Sequence, residues 1–336
     1  MIIFNPAAGQ LDARRDLERA VALLASRGWR IALAETTLAD SATENGSCRG
    51  RLWPGGGAGR GRGWHLNEVV NGLVGSEVAL GVLPVGTANV WAREIGMPTA
   101  APLVTDLLPA ARALAEGRIY RIDVGRAGGR HFLLWAGVGF DAWVTREVRP
   151  EIKRRLGPLA FVPAALGTAA RFAGSRVMLS IDGRRLARRA LLVEVANAQL
   201  YAAIARLSPE ACLDDGRLDI SIFVGQGVFY LARHIFRVLT HRHLRDPHIE
   251  RYLAQQVTIR SRMPLPVQVD GEPSGTTPIA IQVVPRALRV IVPRRVRPGL
   301  LRGRPEVDLA MQASSVAEER LWAKTQGVCW AHPGRV

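Results

Sequence analysis

The chain has 336 residues, which suggests two domains because a single hydrophobic core rarely grows beyond about 250–300 residues. Its 45 lysine and arginine residues outnumber 29 acidic residues, and the net charge of +16 favours anionic partners such as lipid headgroups, nucleotide phosphates or nucleic acid. Three widely separated cysteines exclude a disulfide framework and have no zinc-site spacing, which fits a reducing cytoplasm.

No segment has the composition of a membrane span. Leu156–Ala170, one of the two longest runs without charge, contains two prolines and is shorter than the roughly 20 residues that a spanning helix needs. The N-terminus opens on an apolar stretch without a basic leader or a cleavage site. We therefore expect a cytoplasmic protein that is soluble or rests peripherally on a membrane without crossing it.

The first third of the chain has the pattern of an α/β domain. Met1–Phe4 predicts a strand, the leucines from Leu17 to Leu24 recur at helical spacing, and Ile31–Ala34 predicts a second strand. This β-α-β order implies a parallel sheet. Further predicted elements are helices over about 67–75 and 103–116, a strand over 78–84 and a helix that ends at about 95.

From about residue 121, short strand candidates separated by turn signals indicate a mainly β second domain. We expect an α/β domain over 1–120, a β domain over 121–285, and a strand at about 286–293 that returns to the first domain. The tail, 294–336, is expected to be peripheral or poorly ordered. The strand candidates are 121–125, 131–136, 176–182, 190–196, 217–223, 257–260, 265–270 and 279–284.

The loop after the strand at 78–84 has the chemistry of a phosphate site. Gly86 allows close backbone approach, and Thr87 and Asn89 offer side-chain hydrogen bonds. The helix that follows presents free backbone N–H groups at its N-terminus. Taken alone, the same residues also fit an ordinary turn with a capping threonine.

Six short motifs, in order along the chain, resemble the diacylglycerol kinase catalytic family, which includes bacterial lipid kinases and sphingosine kinases. Each motif is weak singly, whereas the ordered set from residue 1 to about 293 is specific. The motifs are Asn5-Pro6-Ala7-Ala8-Gly9, L-N-E-V-V-N-G-L at 66–73, L-P-V-G-T-A-N at 83–89, G-V-G-F-D-A at 137–142, L-D-D-G-R-L-D at 213–219 and V-D-G-E-P at 269–273.

The resemblance implies an N-terminal α/β, Rossmann-like nucleotide domain of the NAD-kinase and diacylglycerol-kinase type, followed by a C-terminal β-sandwich domain with the lipid site. It implies that Asp270 is the general base for a lipid hydroxyl and that Glu272 lies close by. The rival interpretation of Asp270-Gly271 is a hairpin turn. The residues implied to contact ATP are Asn5, Gly9, Thr37, Gly61, Gly63, Gly86, Thr87 and Asn89.

The resemblance also implies a bound Mg²⁺ at residues 213–219. Asp214 and Asp215, together with a backbone carbonyl such as that of Arg217, offer the oxygen ligands that a hard cation prefers. A type I turn with acidic residues would have the same sequence.

The phosphate loop departs from the family. The family has G-G-D-G-T directly before L-N-E-V, where this chain has Gly-Arg-Gly-Trp-His at 61–65, and an apolar strand is missing upstream. If the reading frame moves forward by one base, the codons of 61–66 can encode G-G-D-G-T in register. We therefore hypothesise a compensated pair of frameshifts over about 43–65, with a true variant loop as the alternative. As written, the chain is expected to bind ATP poorly.

The sequence thus predicts an ATP-dependent lipid kinase of phospholipid metabolism that phosphorylates diacylglycerol or a related lipid alcohol. The alternatives are an NAD-kinase-like enzyme for a soluble metabolite and a non-catalytic lipid- or nucleotide-binding pseudokinase. Specific nucleic-acid binding ranks last, and the oligomeric state stays open, a dimer included. Residues 225–245 predict a basic helix that either rests on an anionic membrane surface or packs on its own domain. Leu231, Ile235, Val238 and Leu239 share one face of it.

Overall fold

A computed structural model describes residues 2–4, 14–35, 65–85, 89–99, 106–147, 167–168, 174–201 and 205–311. The helices in these parts are α1 (Arg14–Ser26), α2 (His65–Leu73), α3 (Val90–Glu94), α4 (Leu108–Ala115), α5 (Phe140–Glu147) and α6 (Gly227–Leu239), with a 3₁₀ turn at His243–Arg245. The strands are β1 (Ile2–Phe4), β2 (Leu33–Glu35), β3 (Ala79–Leu80), β4 (Arg118–Ala127), β5 (Arg130–Phe132), β6 (Trp135–Gly139), β7 (Ser175–Ile181), β8 (Arg184–Ala196), β9 (Leu200–Tyr201), β10 (Ala205–Arg206), β11 (Leu218–Val224), β12 (Ile249–Ala254), β13 (Gln256–Ser261), β14 (Pro266–Val269), β15 (Glu272–Thr276), β16 (Ile279–Val292) and β17 (Val307–Asp308).

The N-terminal part has the predicted β-α-β order, and β1 pairs with β2 in parallel. Three residues of α1 at helical spacing, Leu17, Ala20 and Leu24, are buried with Leu107 and Ala111 beside α4. Burial of this stripe stabilises α1, because a helix of 13 residues is marginal without tertiary packing. The strand predicted over 78–84 is shorter than expected and consists of β3 alone.

One strand joins the two parts of the fold. β16 pairs with β4 in antiparallel fashion, with a register shift between Val284 and Leu288. Near its end, Arg289 and Val290 pair in parallel with β3. The last residues of β16 are therefore paired with β4 on one edge and with β3 on the other.

The β part is a large, mostly antiparallel sheet in the order β15-β14-β6-β8-β7-β13-β16-β4-β17, and β11 pairs with β8 and β12. The mainly β character predicted for this region is confirmed. The sequence patterns did not predict β12 or β15. β15 reads Glu-Pro-Ser-Gly-Thr, a composition of low strand propensity, and it is a strand because hairpin pairing with β14 imposes the register.

Residues 294–311, which were predicted to be peripheral or poorly ordered, are attached to the β part of the fold, although most of their side chains are exposed or half-buried. Leu300 is completely buried, and its carbonyl accepts the Leu213 N–H at 2.9 Å. β17 pairs with β4, and Asp308 forms ion pairs with Arg118 and Arg294. The composition of this segment suggested disorder because it contains few apolar residues. Those residues nevertheless pack against the core, as Leu300, Val296, Leu301 and Leu309 do. Residues 312–336 lie outside the described residues.

No helix in the described parts of the chain is long and apolar enough to cross a membrane.

Candidate active site

Asp270 and Gly271 form a two-residue hairpin turn between β14 and β15. Val269 pairs with Glu272, and both turn residues have positive φ, 49° and 81°, as in a type I′ turn. An Asp-Gly pair suits this turn because glycine has no Cβ and aspartate tolerates the left-handed region. The hairpin interpretation of this motif is therefore correct as structure, and the direction of the Asp270 carboxylate decides whether the turn also has a chemical role.

The Asp270 carboxylate points inward and accepts four hydrogen bonds. Oδ1 accepts the N–H groups of Leu134 (2.9 Å) and Trp135 (3.1 Å). Oδ2 accepts the N–H of Leu133 (2.9 Å) and Nδ2 of Asn67 (3.0 Å). A carboxylate has about four acceptor positions, so all of them are used here.

The protonation of Asp270 reflects two opposing effects. Burial raises the pKa of its carboxyl above the ordinary value, whereas the surrounding N–H donors favour the ionised form. Because its acceptor positions are filled, Asp270 can take a proton only after one donor leaves. Three donors are backbone groups at the start of β6 or just before it, and the fourth, Asn67, is a side chain of α2.

Two asparagines one helical turn apart on α2 link the helix to β5. Asn67 Nδ2 donates to the His131 carbonyl at 2.9 Å, and the His131 N–H donates to Asn71 Oδ1 at 2.9 Å. Asn71 Nδ2 in turn donates to Asn67 Oδ1 at 3.0 Å. These bonds explain the two asparagines of the L-N-E-V-V-N-G-L motif, since each satisfies backbone groups of the β part.

Glu272, which the resemblance implied to lie close to Asp270, belongs to the same network, and its catalytic role stays a prediction. It is buried and forms an ion pair with Arg130. Arg130 also donates from Nε to Asn67 Oδ1 at 2.7 Å. Arg130 therefore connects Glu272 to the residue that contacts Asp270, and the sequence analysis did not single it out.

A second buried network extends from the hairpin to the G-V-G-F-D-A motif. The Gly271 N–H donates to Gln268 Oε1 at 2.7 Å, and Gln268 Nε2 donates to Asp141 Oδ2 at 2.8 Å. Burial raises the pKa of Asp141 to about 6. A Cβ at Gly137 would collide with the Asp141 carboxylate, which explains this glycine. Gln268 carried no signal in the sequence, because a lone glutamine in a strand is usually a surface residue.

The acidic loop at 213–219 is tied to the segment near residue 300. Asp214 accepts the N–H groups of Arg302 at 2.8 Å and Gly303 at 2.7 Å. Asp215 Oδ1 accepts the Arg217 N–H at 3.2 Å, in a turn. Both Asp214 oxygens thus act as hydrogen-bond acceptors from backbone, which suits a structural role better than metal ligation. A Mg²⁺ site here stays a prediction that depends on Asp215 and the Arg217 carbonyl.

Asp123, which the sequence analysis missed, supports this loop from β4. It is completely buried and accepts the N–H groups of Gly216 at 2.6 Å and Arg286 at 2.8 Å. Burial and the nearby charges of Asp214 and Asp215 raise its pKa. Among the described residues, no group of three or more His, Cys, Asp or Glu side chains could hold a metal ion.

Known protein families match both parts of the chain. The model of the diacylglycerol kinase catalytic domain matches residues 1–127, and that of the YegS C-terminal NAD kinase beta sandwich-like domain matches residues 135–292. The chain belongs to the diacylglycerol kinase catalytic domain family. The predicted fold class, an α/β domain followed by a β-sandwich-like domain, is confirmed.

Relatives in this family align over most of their length. The diacylglycerol kinase of Bacillus subtilis (strain 168) is 28% identical over 300 residues, which cover 87% of this chain and 96% of the relative. That of Staphylococcus carnosus (strain TM300) is 26% identical, with 88% and 95% covered. The crystal structure of a diacylglycerol kinase from Bacillus anthracis str. Sterne superposes with a TM-score of 0.68 at 26% identity, and the match covers 87% of this chain and 96% of that chain.

Membership of the diacylglycerol kinase family supports a kinase and implies ATP as the phosphate donor. Most residues predicted to contact ATP lie outside the described residues, as does the altered loop before His65. Asn89 is described: it has a left-handed backbone (φ 45°, ψ 43°) and directly precedes α3. The predicted contacts outside the described parts are Asn5, Gly9, Thr37, Gly61, Gly63, Gly86 and Thr87.

In this family member, α3 is also fastened to the β domain. Glu94, completely buried, accepts the N–H groups of Gln199 at 2.7 Å and Leu200 at 3.0 Å. Burial raises its pKa. An open surface depression of about 350 Å³ lies beside this contact, and none of its lining residues belongs to the Asp270 network. Its lining residues are Arg93, Gly96, Met97, Thr99, Leu200 and Arg297.

Proposed function

We propose that this protein is an ATP-dependent lipid kinase that transfers the γ-phosphoryl group to the hydroxyl of diacylglycerol or a related lipid alcohol. The domain at 1–120 would hold the donor, and the domain at 121–285 the lipid. The observation that carries the proposal is the inward-pointing Asp270 carboxylate, which lies where α2 meets β5 and β6. The relatives named diacylglycerol kinase support the same substrate class.

In the proposed reaction, Asp270 orients the lipid hydroxyl and accepts its proton. Rotation of Asn67 would release one acceptor position on Oδ2, and the hydroxyl would donate there instead. The ion pair between the buried Glu272 and the half-buried Arg130 would hold Asn67 in its resting position through the Arg130 Nε contact at 2.7 Å. ATP, when bound, supplies the phosphoryl group, and the role of the protein is to position the nucleophile and stabilise charge.

The altered segment at 61–65 limits this activity in the chain as written. Arg62 can pair with phosphate, yet Trp64 and His65 place bulky side chains where the family has glycine and threonine. We expect the chain as written to have little turnover. We expect a version whose codons 43–65 are read in the shifted frame, with G-G-D-G-T at 61–65, to phosphorylate lipid.

The test compares the two versions with ATP and Mg²⁺ on diacylglycerol, sphingosine, extracted lipids and NAD. Lipid phosphorylation by the restored version, abolished by Asp270→Asn, supports the proposal. Phosphorylation of NAD without any lipid product would contradict it. Full turnover by the chain as written would contradict the role given to the altered segment.

The altered segment itself favours a second candidate, a non-catalytic protein that binds lipid or nucleotide. Calorimetry of the chain as written against ATP and against dispersed diacylglycerol separates this candidate from the kinase. Binding without turnover in both versions would support it.

A further inference from the structure

Helix α6 turns an apolar stripe towards solvent. At 100° per residue, Val228, Phe229, Ile235, Phe236 and Leu239 lie within one stripe about 120° wide. All five side chains are exposed, from 46% for Ile235 to 74% for Phe229. An ordinary surface helix has the opposite orientation, with its apolar stripe against the core.

The other side of α6 holds the helix to the protein. Leu231 and His234 are buried, and Val238 packs against a cluster that includes Phe223 and Ile249. The four apolar residues that the sequence placed on one face are therefore divided between the inner and the outer side. Since these residues hold the inner side of α6 against the protein, the stripe lies on its outer side.

The exposed apolar residues are concentrated at this helix. Six of the eleven exposed large hydrophobic side chains in the described parts of the chain lie between residues 228 and 244. The sixth is Leu244, in the 3₁₀ turn that follows α6. A concentration of this kind marks a surface that contacts another molecule or a membrane.

Arginines lie on one flank of the stripe and directly after α6. Residues 225–245 contain four arginines and no acidic residue. Arg233 and Arg237, next to the stripe on the helix, are held by the buried Asp246 at 2.6 and 3.6 Å. The remaining two, Arg242 and Arg245, are exposed.

A further pair of arginines lies where the chain enters α6. Arg176 on β7 and Arg189 on β8 are directly opposite each other, and both are exposed. The Gly225 N–H donates to the Arg189 carbonyl at 2.9 Å, which places this pair beside the start of the helix. Like charges directly opposite on neighbouring strands are unfavourable, so an anion at this position would stabilise the pair.

We propose that α6 docks this protein on a bilayer surface that carries anionic lipid headgroups, with the stripe in the acyl boundary and the arginines at the phosphates. Aromatic and aliphatic side chains flanked by arginine suit this boundary, because arginine stems lie along apolar surface while the guanidinium contacts headgroups. A second copy fits less well, since two facing patches would bring their arginines together. Nucleic acid also fits less well, because it offers no apolar surface that would cover an aliphatic stripe.

The test uses the full chain and sedimentation with phosphatidylcholine vesicles, with and without phosphatidylglycerol. We expect at least about tenfold stronger binding to the anionic vesicles, weakened by salt. The double variant Phe229→Ser/Phe236→Ser should lose about tenfold or more in binding, and Arg176→Gln/Arg189→Gln should reduce the preference for anionic lipid while the four arginines of residues 225–245 remain. The matched control, Leu253→Ser/Met263→Ser, removes exposed apolar residues elsewhere and should bind like the parent chain.

Circular dichroism and the thermal midpoint verify that each variant folds. Unchanged vesicle binding by the Phe229/Phe236 variant would overturn the proposal. A fall in molecular mass by light scattering in that variant, with vesicle binding unchanged, would assign the stripe to a second copy. Loss of oligonucleotide binding with vesicle binding intact would assign the patch to nucleic acid. Vesicle binding requires no ATP turnover, so this proposal and the kinase proposal stand or fail separately.

Discussion

Asp270→Asn should destabilise the protein even if the lipid reaction is never measured. Each Asp270 oxygen accepts two N–H groups. Asparagine has one acceptor oxygen, so in either orientation its amide NH₂ faces two donors. If the oxygen stays at the Oδ1 position, the N–H of Leu133 and Nδ2 of Asn67 lose their acceptor.

The cost can be worked out from these contacts. Two lost bonds to a charged group, with their donors left unsatisfied, correspond to about 3 kcal/mol in the free energy of unfolding. Asn67 cannot relieve the conflict by flipping its amide. Its Nδ2 also donates to the His131 carbonyl at 2.9 Å, and its Oδ1 accepts Arg130 Nε at 2.7 Å.

Urea denaturation of the parent chain, Asp270→Asn, Asn67→Ala and the double variant measures this network. The double variant should be more stable than the sum of the single effects by about 1 kcal/mol, because removal of Asn67 removes one of the clashing donors. The control, Glu210→Gln, changes an exposed carboxylate and should stay within about 0.5 kcal/mol of the parent. An Asp270→Asn variant as stable as the parent would refute the four-donor geometry.

Three further predictions concern stability. Burial raises the pKa of Asp141 to about 6, so the native state holds a proton that the unfolded state releases, and stability should fall as pH rises from about 4 to about 6. Asp141→Asn should reduce this dependence of stability on pH and raise the free energy of unfolding at pH 7.5 by up to about 3 kcal/mol. Urea midpoints at pH 4.5 and 7.5 measure this. If the variant keeps the pH dependence of the parent, the raised pKa does not belong to Asp141. Gly137→Ala should cost about 2 kcal/mol or more, because its Cβ meets the Asp141 carboxylate, whereas Gly129→Ala, with open space around it, should be neutral in thermal melts. Leu300→Ala should lower the free energy of unfolding by about 3 kcal/mol, whereas Met311→Ala, at a side chain that is 72% exposed, should change it little. Equal melting temperatures of these two variants would show that residues 294–311 do not pack as described.

Periodic patterns predicted the regular elements best. α1, β7 and β13 each bury one face, which produces the leucine spacing of α1 and the alternation of buried and exposed residues in the two strands. Such patterns are local properties of the sequence. β15 was missed because its residues have no strand propensity of their own and pair only through the hairpin with β14. The attachment of residues 294–311 was not predicted, because a single buried leucine and a few ion pairs hardly change the composition of a segment.

The sequence alone determined the family, since six ordered motifs survive whatever happened at residues 43–65. It also indicated a helix within residues 225–245 and left a hairpin turn at Asp270-Gly271 as the rival interpretation, because helical period and turn chemistry are local properties. Only the tertiary structure decided where these elements point. The donors to Asp270 come from positions 137 and 203 residues away, among others, and they turn a hairpin aspartate inward. In α6, apolar residues lie on both sides of the helix, so packing against Phe223 and Ile249 decided which side faces solvent.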